Sequence, residues 1–190
     1  MITLGTFRPE FFNNNGDQGN LEVLQAQLAW RGIDCQNVDQ NLGPSDFLLI
    51  GDASRAAMRH FESELLDLSS IVEERLTRGA PTLIVGSAFE FFSGKVAGLP
   101  TLRQVARASE FRTARSGSLE AFGYRNSEAD LDLFVSGGFI ATTLFGPVLA
   151  KSPDLLELIL DQLGVEAKLS PDVESELGEL VLQAKKTNAG

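Results

Sequence analysis

Two short runs, Phe47-Leu48-Leu49-Ile50 and Pro81-Thr82-Leu83-Ile84-Val85, are apolar at nearly every position. Neither shows the alternation of a strand with one wet face, and both are too short for a helix. Runs of this kind belong to strands covered on both sides, which is the situation of a parallel sheet between two helical layers. The flanking segments agree. Ile2 to Phe7 is a short β-like run, and Arg8 to Gly19 is loop chemistry rich in Asn and Gly. Leu21, Leu24 and Leu28 then fall on one helical face, with Asn20 as the expected cap and Gly32 as the stop. Ile33 to Val38 is a second strand candidate, and Asn41 to Ser45 a turn. Ser54 to Arg78 reads as helix with a break expected near Ser69-Ser70, and Ala88 to Phe92 as the helix after the Pro81 strand. The order βαββαβα predicts an α/β fold: a three-layer, open, mostly parallel sheet.

The second half reads differently. Ser118–Tyr124, Asp130–Val135 and Phe139–Leu144 alternate, separated by Asn126-Ser127 and Gly137-Gly138, and predict an antiparallel extension with hairpin turns. Ser152-Pro153 opens an amphipathic helix over Asp154–Leu163, with Ser152 as cap. Pro171–Lys186 is an acidic helix followed by a loose Thr-Asn-Ala-Gly tail. The 190 residues suit one domain. Its body is expected over 1–165, with the helix and tail of 166–190 belonging to it.

Composition narrows the function classes. A net charge of −10 argues against a nucleic-acid partner, which needs a basic face. A single Cys35 and a single His60 leave no internal disulfide and no Cys/His zinc or multi-histidine site, so no metal and no cofactor are expected. No apolar run is long enough to cross a membrane, and MITLGTFRPEFF lacks the basic and apolar regions of a signal peptide. A cytoplasmic protein is expected. Thirteen Phe against one Trp and one Tyr point to a core built on rings with no polar atom to satisfy.

The turn Val85-Gly86-Ser87-Ala88 is a sharp strand-to-helix junction of the kind that lifts a nucleophile into a cleft. Asn15-Gly16-Asp17-Gln18-Gly19-Asn20 is either an anion-capturing loop or a plain turn and cap. The block "NNNGDQGNLEVLQAQLAWRGI", followed by "DFLLIGD", "GAPTLIVGSAFEFFSG", "GYRNS" and "TTLFGPVLAKSPDLLELIL", resembles the class I glutamine amidotransferases of the cobyric acid synthase (CobB/CobQ) type, and most of all the GatD subunit of lipid II isoglutaminyl synthase. The blocks span most of Phe11 to Leu160 in the family's order. The resemblance implies a class I glutaminase fold. There a Cys on the elbow attacks the glutamine side-chain amide, a His moves the proton, and backbone N–H groups hold the oxyanion. The ammonia released passes to a synthetase.

On that alignment Gly86 stands at the nucleophile position and Phe145 at the base. Ser127 stands at a further family histidine. The glycine-rich turn that helps form the oxyanion hole becomes Gly51-Asp52-Ala53-Ser54, where Asp52 would set a negative charge against a developing anion. Neither hydrogen nor a benzene ring can act as nucleophile or base, so no conventional catalytic residue is expected. Ser87, His60, Glu90 and Cys35 are the substitutes to weigh. The bland alternatives are a surface helical histidine, a glutamate compensating a helix dipole, and a small buried hydrophobe. Arg112, Arg115 and Arg125 fall where the family keeps an arginine for the glutamine carboxylate, or are exposed strand arginines. Phe89 and Phe145 would either make the old pocket more apolar or simply fill it.

Three functions follow as expectations. The first is a degenerate glutaminase-like partner of a Mur-ligase-like or other amidating synthetase. The second is an active glutaminase working through unusual residues. The third is a module binding glutamine or another small molecule in the old pocket.

Overall fold

The computed structural model describes residues 1–188; of the expected tail, Ala189 and Gly190 lie outside the described residues. The chain runs β1 (Ile2–Thr6), α1 (Gly19–Trp30), β2 (Cys35–Val38), β3 (Phe47–Ile50), α2 (Arg55–His60), α3 (Glu62–Arg78), β4 (Thr82–Val85), α4 (Ser87–Phe92), β5 (Gln104–Ser116), β6 (Leu119–Ala129), β7 (Leu133–Ser136), β8 (Phe139–Thr142), β9 (Leu144–Phe145), α5 (Val148–Lys151), α6 (Pro153–Gln162) and α7 (Pro171–Asn188). A six-stranded sheet has the order β2-β1-β3-β4-β8-β7, and a three-stranded sheet the order β5-β6-β9. Pairings from β2 through β8 are parallel; only β7 joins antiparallel, at the edge.

The continuous apolar runs do what two-sided burial demands. Phe47 and Leu49 of β3, with Leu83 and Val85 of β4, pack into a layer against α1, α5 and α6. Leu48 and Ile50 with Ile84 face the opposite layer, built on α3 and α4. Side-chain alternation along each strand thus feeds two cores. The predicted α/β three-layer fold is present.

Several local expectations are corrected. The helix over 55–78 breaks at Phe61, not at Ser69-Ser70. Phe61 leaves helical geometry (φ −98°, ψ 14°) to pack its ring among Phe7, Phe11 and Phe12. The two serines stay inside α3 by bonding back to the carbonyls of Leu65 and Asp67. Asn20 does not cap α1, which begins one residue earlier; its buried side chain does other work, described below. Asn126-Ser127 is not a turn but part of β6, paired with Ser109 and Ala108 of a strand that starts at Gln104, ahead of the first expected segment at Ser118. Phe139–Thr142 leaves the extension and joins the main sheet beside β4. Ser152 precedes α6 without a side-chain capping bond, because its hydroxyl accepts the Phe122 N–H. Thr187 and Asn188 continue α7 rather than forming a tail.

No helix among the described residues is long and apolar enough to cross a membrane.

Candidate functional site

In a parallel sheet the strand ends on one edge collect the loops that follow them. A crevice opens where neighbouring connections diverge, here between β1 and β3. The loops after β1, β3 and β4 meet there with the β9 segment. They enclose a cleft of about 290 Å³ lined by Asn14, Asp52, Ser87, Glu90, Arg107 and Phe145, among others.

Gly86 is the hinge between β4 and α4. Its φ is +59°, which glycine adopts without the cost a Cβ imposes. Its N–H bonds the Thr142 carbonyl across the sheet, and its carbonyl accepts the Glu90 N–H to start the helix. A Cβ placed on Gly86 would lie 2.4 Å from Cε1 of Phe145 and 2.6 Å from Oδ1 of Asp52. The point where an elbow side chain would emerge is therefore already filled, from one side by a ring and from the other by a carboxylate.

Asp52 is buried and heavily bonded. Its Oδ1 accepts the Ser87 N–H at 2.9 Å, and its Oδ2 accepts the side-chain amides of Asn14 and Asn15 at 3.1 and 2.8 Å. The first free N–H of α4 thus has an internal anion. Gly51 is required for a different reason: a Cβ there would strike the Phe12 carbonyl oxygen at 2.2 Å.

The Asn15–Asn20 loop resolves in an unexpected way. The N–H groups of Gly16, Gln18, Gly19 and Asn20 bond within the turn itself, and the loop supplies a carboxylate. Asp17 is fully buried. Its Oδ2 accepts the Asp52 N–H at 2.9 Å and its Oδ1 the Gly146 N–H at 3.0 Å. Asn20 reinforces the junction, donating to the carbonyls of Asp17 and Gly146 and accepting the Leu149 N–H. One acidic side chain therefore sets the backbone positions of both groups that crowd Gly86.

Burial raises the Asp17 carboxyl from 3.8 to about 6; the N–H groups of Asp52 and Gly146 oppose that rise, and the Asp52 charge adds to it. The folded state then binds a proton more readily than the unfolded chain does. Its contribution is present below pH 4 and is lost as the pH rises to about 6. Relative to Asp17→Asn, which does not titrate, the parent protein is expected to lose about 3 kcal/mol of stability across that window and no more above it. Urea unfolding of both proteins between pH 3.5 and 7 measures this.

Ser87, the residue after the hinge, has its hydroxyl in use twice: Oγ donates to the Ala53 carbonyl at 3.1 Å and accepts the Ala53 N–H at 3.0 Å. Both partners of the hydroxyl are backbone groups of Ala53, and neither is a base. His60 is exposed at the end of α2, its ring edge-on to Phe61, and does not line the cleft. Cys35 lies half-buried on β2, three strand spacings or roughly 14 Å from β4. Glu90 does reach the cleft, where its Oε1 accepts the Ser127 hydroxyl at 2.6 Å. Ser127 also accepts the Ala129 N–H, so this pair joins α4 to the second sheet.

The arginines are redistributed. Arg125 is buried and bonds Asp132 and the Ala129 carbonyl. Arg112 lies 3.3 Å from Asp132, and Arg115 pairs with Glu120. None of the three lines the cleft; Arg55 and Arg107 do. Phe89 is also displaced from the expected pocket. It is fully buried in the core on the α3/α4 side, so of the two rings only Phe145 borders the cleft. Asn14, Asn15, Arg55, Arg107 and Glu128 were missed. The Asn13-Asn14-Asn15 run was a visible polar signal, whereas Arg107 sits on a strand whose start the pattern did not reveal.

Among the described residues no cluster of His, Cys, Asp and Glu could hold a metal ion.

No family model and no curated protein matches this chain. Solved structures do. The chain is similar to a glutamine amidotransferase from Thermotoga maritima with TM-score 0.53 and 15% identity, over 98% of this chain and 92% of that one. It is also similar to a second glutamine amidotransferase with TM-score 0.50 and 16% identity, over 85% and 99%. At such identity the likeness establishes the fold alone, and that fold is glutamine amidotransferase-like.

Proposed function

We propose that this glutamine amidotransferase-like chain is a catalytically degenerate relative of the glutaminases, of the cobyric acid synthase and GatD type. It acts as a partner or regulatory subunit of a Mur-ligase-like or other amidating synthetase. One observation carries the degeneracy. The space a nucleophile needs at Gly86 is occupied by Phe145 and Asp52, while the Ser87 N–H that would face an oxyanion is bonded to the Asp52 carboxylate. An oxyanion site works by presenting donors that are free until charge develops. This one carries its own negative charge, so the electrostatics oppose glutamine hydrolysis even apart from the missing sulfur and imidazole. The partner role rests on the retained scaffold and on the sequence blocks that resemble the synthetase-linked subunits.

A second reading has its own support: a cleft does remain beside the hinge, and its wall carries Arg55, Arg107, Glu90 and Glu128. That lining suits a small polar molecule, which could be glutamine or a relative, bound without turnover.

Purified full-length protein incubated with glutamine is expected to release no ammonia above a blank. Steady release that disappears in Ser87→Ala would overturn the degenerate reading, since Ser87 is the one hydroxyl at the hinge. Tagged protein captured from its own cells is expected to bring a ligase-like synthetase with it. Repeated capture without any such enzyme would remove the partner role and leave the binding module.

A further inference from the structure

On the α1/α5/α6 side, away from the cleft and sharing no lining residue with it, α7 lies across the body without sealing against it. Val173, Leu177, Val181 and Ala184 form its inward stripe, yet each stays only half-buried. Between that stripe and the body is a cavity of about 480 Å³. Its wall is mostly aliphatic, from Val23 and Ala26 on α1 through Leu149 and Leu156 to Leu177 and Val181 on α7, with the indole of Trp30 beside them. Volume and lining are those of a small-molecule site: apolar walls and few polar groups.

Four charged residues touch this cavity, and they are not equivalent. Arg31 is committed to the carbonyls of Ala167 and Gln27 and lies 3.9 Å from Glu157. Glu174 is exposed in the first turn of α7, where the helix dipole favours a carboxylate. Lys151 is different. It is half-buried at the end of α5, its ammonium 5.9 Å from the Phe111 ring centroid, and it makes no ion pair among the described residues. Moving a cation out of water costs free energy that a nearby anion offsets, and the wall beside this one is aliphatic.

We propose that the cavity beneath α7 binds an alkyl-chain carboxylate, with the chain along the aliphatic wall and the carboxylate on Lys151. Burial lowers the Lys151 pKa in the empty protein, and an anion beside it reverses that trend. The site is independent of the hinge and of its reading as a degenerate glutaminase.

Trp30 is the only tryptophan, is 55% exposed and lines the cavity, so its emission reports binding directly. Full-length protein titrated with sodium decanoate below its micellar range is expected to show a saturable change in Trp30 emission and a rise in Tm. Lys151→Gln is expected to bind at least ~10-fold more weakly. Ala26→Phe, which fills the wall without altering charge, is expected to abolish the change. Circular dichroism confirms that each variant is folded, and the Lys151 arm stands if Ala26→Phe is not. No saturable change, equal affinity for decylammonium, or Lys151→Gln binding as tightly as the parent would each overturn the proposal.

Discussion

Gly86→Cys protein is expected to be less stable than its parent by about 3 kcal/mol and, on the proposed degenerate reading, to release no ammonia from glutamine. The loss has two sources. A residue with a Cβ must hold φ near +59°, which costs of order 1–3 kcal/mol. The Cβ must also displace a ring carbon 2.4 Å away and a carboxylate oxygen 2.6 Å away in a packed region. Gly86→Ala should fall nearly as far, because the first carbon, not the sulfur, makes the contacts. Combining Gly86→Cys with Phe145→Ala should recover at least ~1 kcal/mol of the loss, since neighbours that share one space are not additive. Urea unfolding of the singles and the double measures this, with an ammonia assay alongside. A Gly86→Cys protein as stable as the parent would show that Phe145 and Asp52 yield this space freely, and any turnover it gained would contradict a filled site.

Arg75→Met is expected to cost about 4 kcal/mol, a large part of the stability of an ordinary domain. Arg75 is almost wholly buried on α3. Its Nε donates to Thr82 Oγ1 at 2.9 Å, Nη1 to the carbonyls of Gly43 and Ser45 at 3.1 and 2.7 Å, and Nη2 to that of Pro81 at 2.6 Å. These groups belong to the turn before β3 and to the start of β4, so one guanidinium fixes where two central strands begin. Burial lowers its pKa to about 10, which leaves it charged at neutral pH. Methionine fills similar volume but takes the donor from the Gly43 and Ser45 carbonyls, at ~1–3 kcal/mol each where water cannot reach them, while the Pro81 carbonyl keeps the Leu48 N–H. Arg75→Lys should recover only part of the loss, because one ammonium lacks the breadth of the fork. Chemical denaturation at neutral pH tests both; a methionine variant within 1 kcal/mol of the parent would mean that water reaches those carbonyls.

The main sheet was legible because two-sided burial writes itself as unbroken apolar runs, and β3 and β4 lie where those runs are. The helix break was not, since Ser69 and Ser70 look like breakers until their hydroxyls find carbonyls one turn back, while Phe61 looks like an ordinary helical residue until three other rings gather round it. At the site, Gly86 was legible as a strand-to-helix hinge, whereas Phe145 was singled out only through the resemblance and its place beside Gly86 came from the fold. What filled the space between them could not be read. Asp17 is one acidic residue among twenty-six, and its value lies in two N–H groups supplied by distant loops. The arginines failed for the same reason: Arg112, Arg115 and Arg125 find carboxylates nearby, whereas Arg107 reaches the cleft through the register of a ribbon that the pattern only half revealed.

The junction at Asp17 also bears on when the cleft can assemble during synthesis. Asp17 and Asn20 bond backbone groups of Gly146 and Leu149, 129 positions further along the chain. A nascent chain that has released β1 through β4 already holds much of its central sheet, but the floor beside the hinge waits for the ribbon and α5 to leave the ribosome. Until then two buried-type polar side chains stay in water, and the C-terminal third completes the pocket that the N-terminal third began.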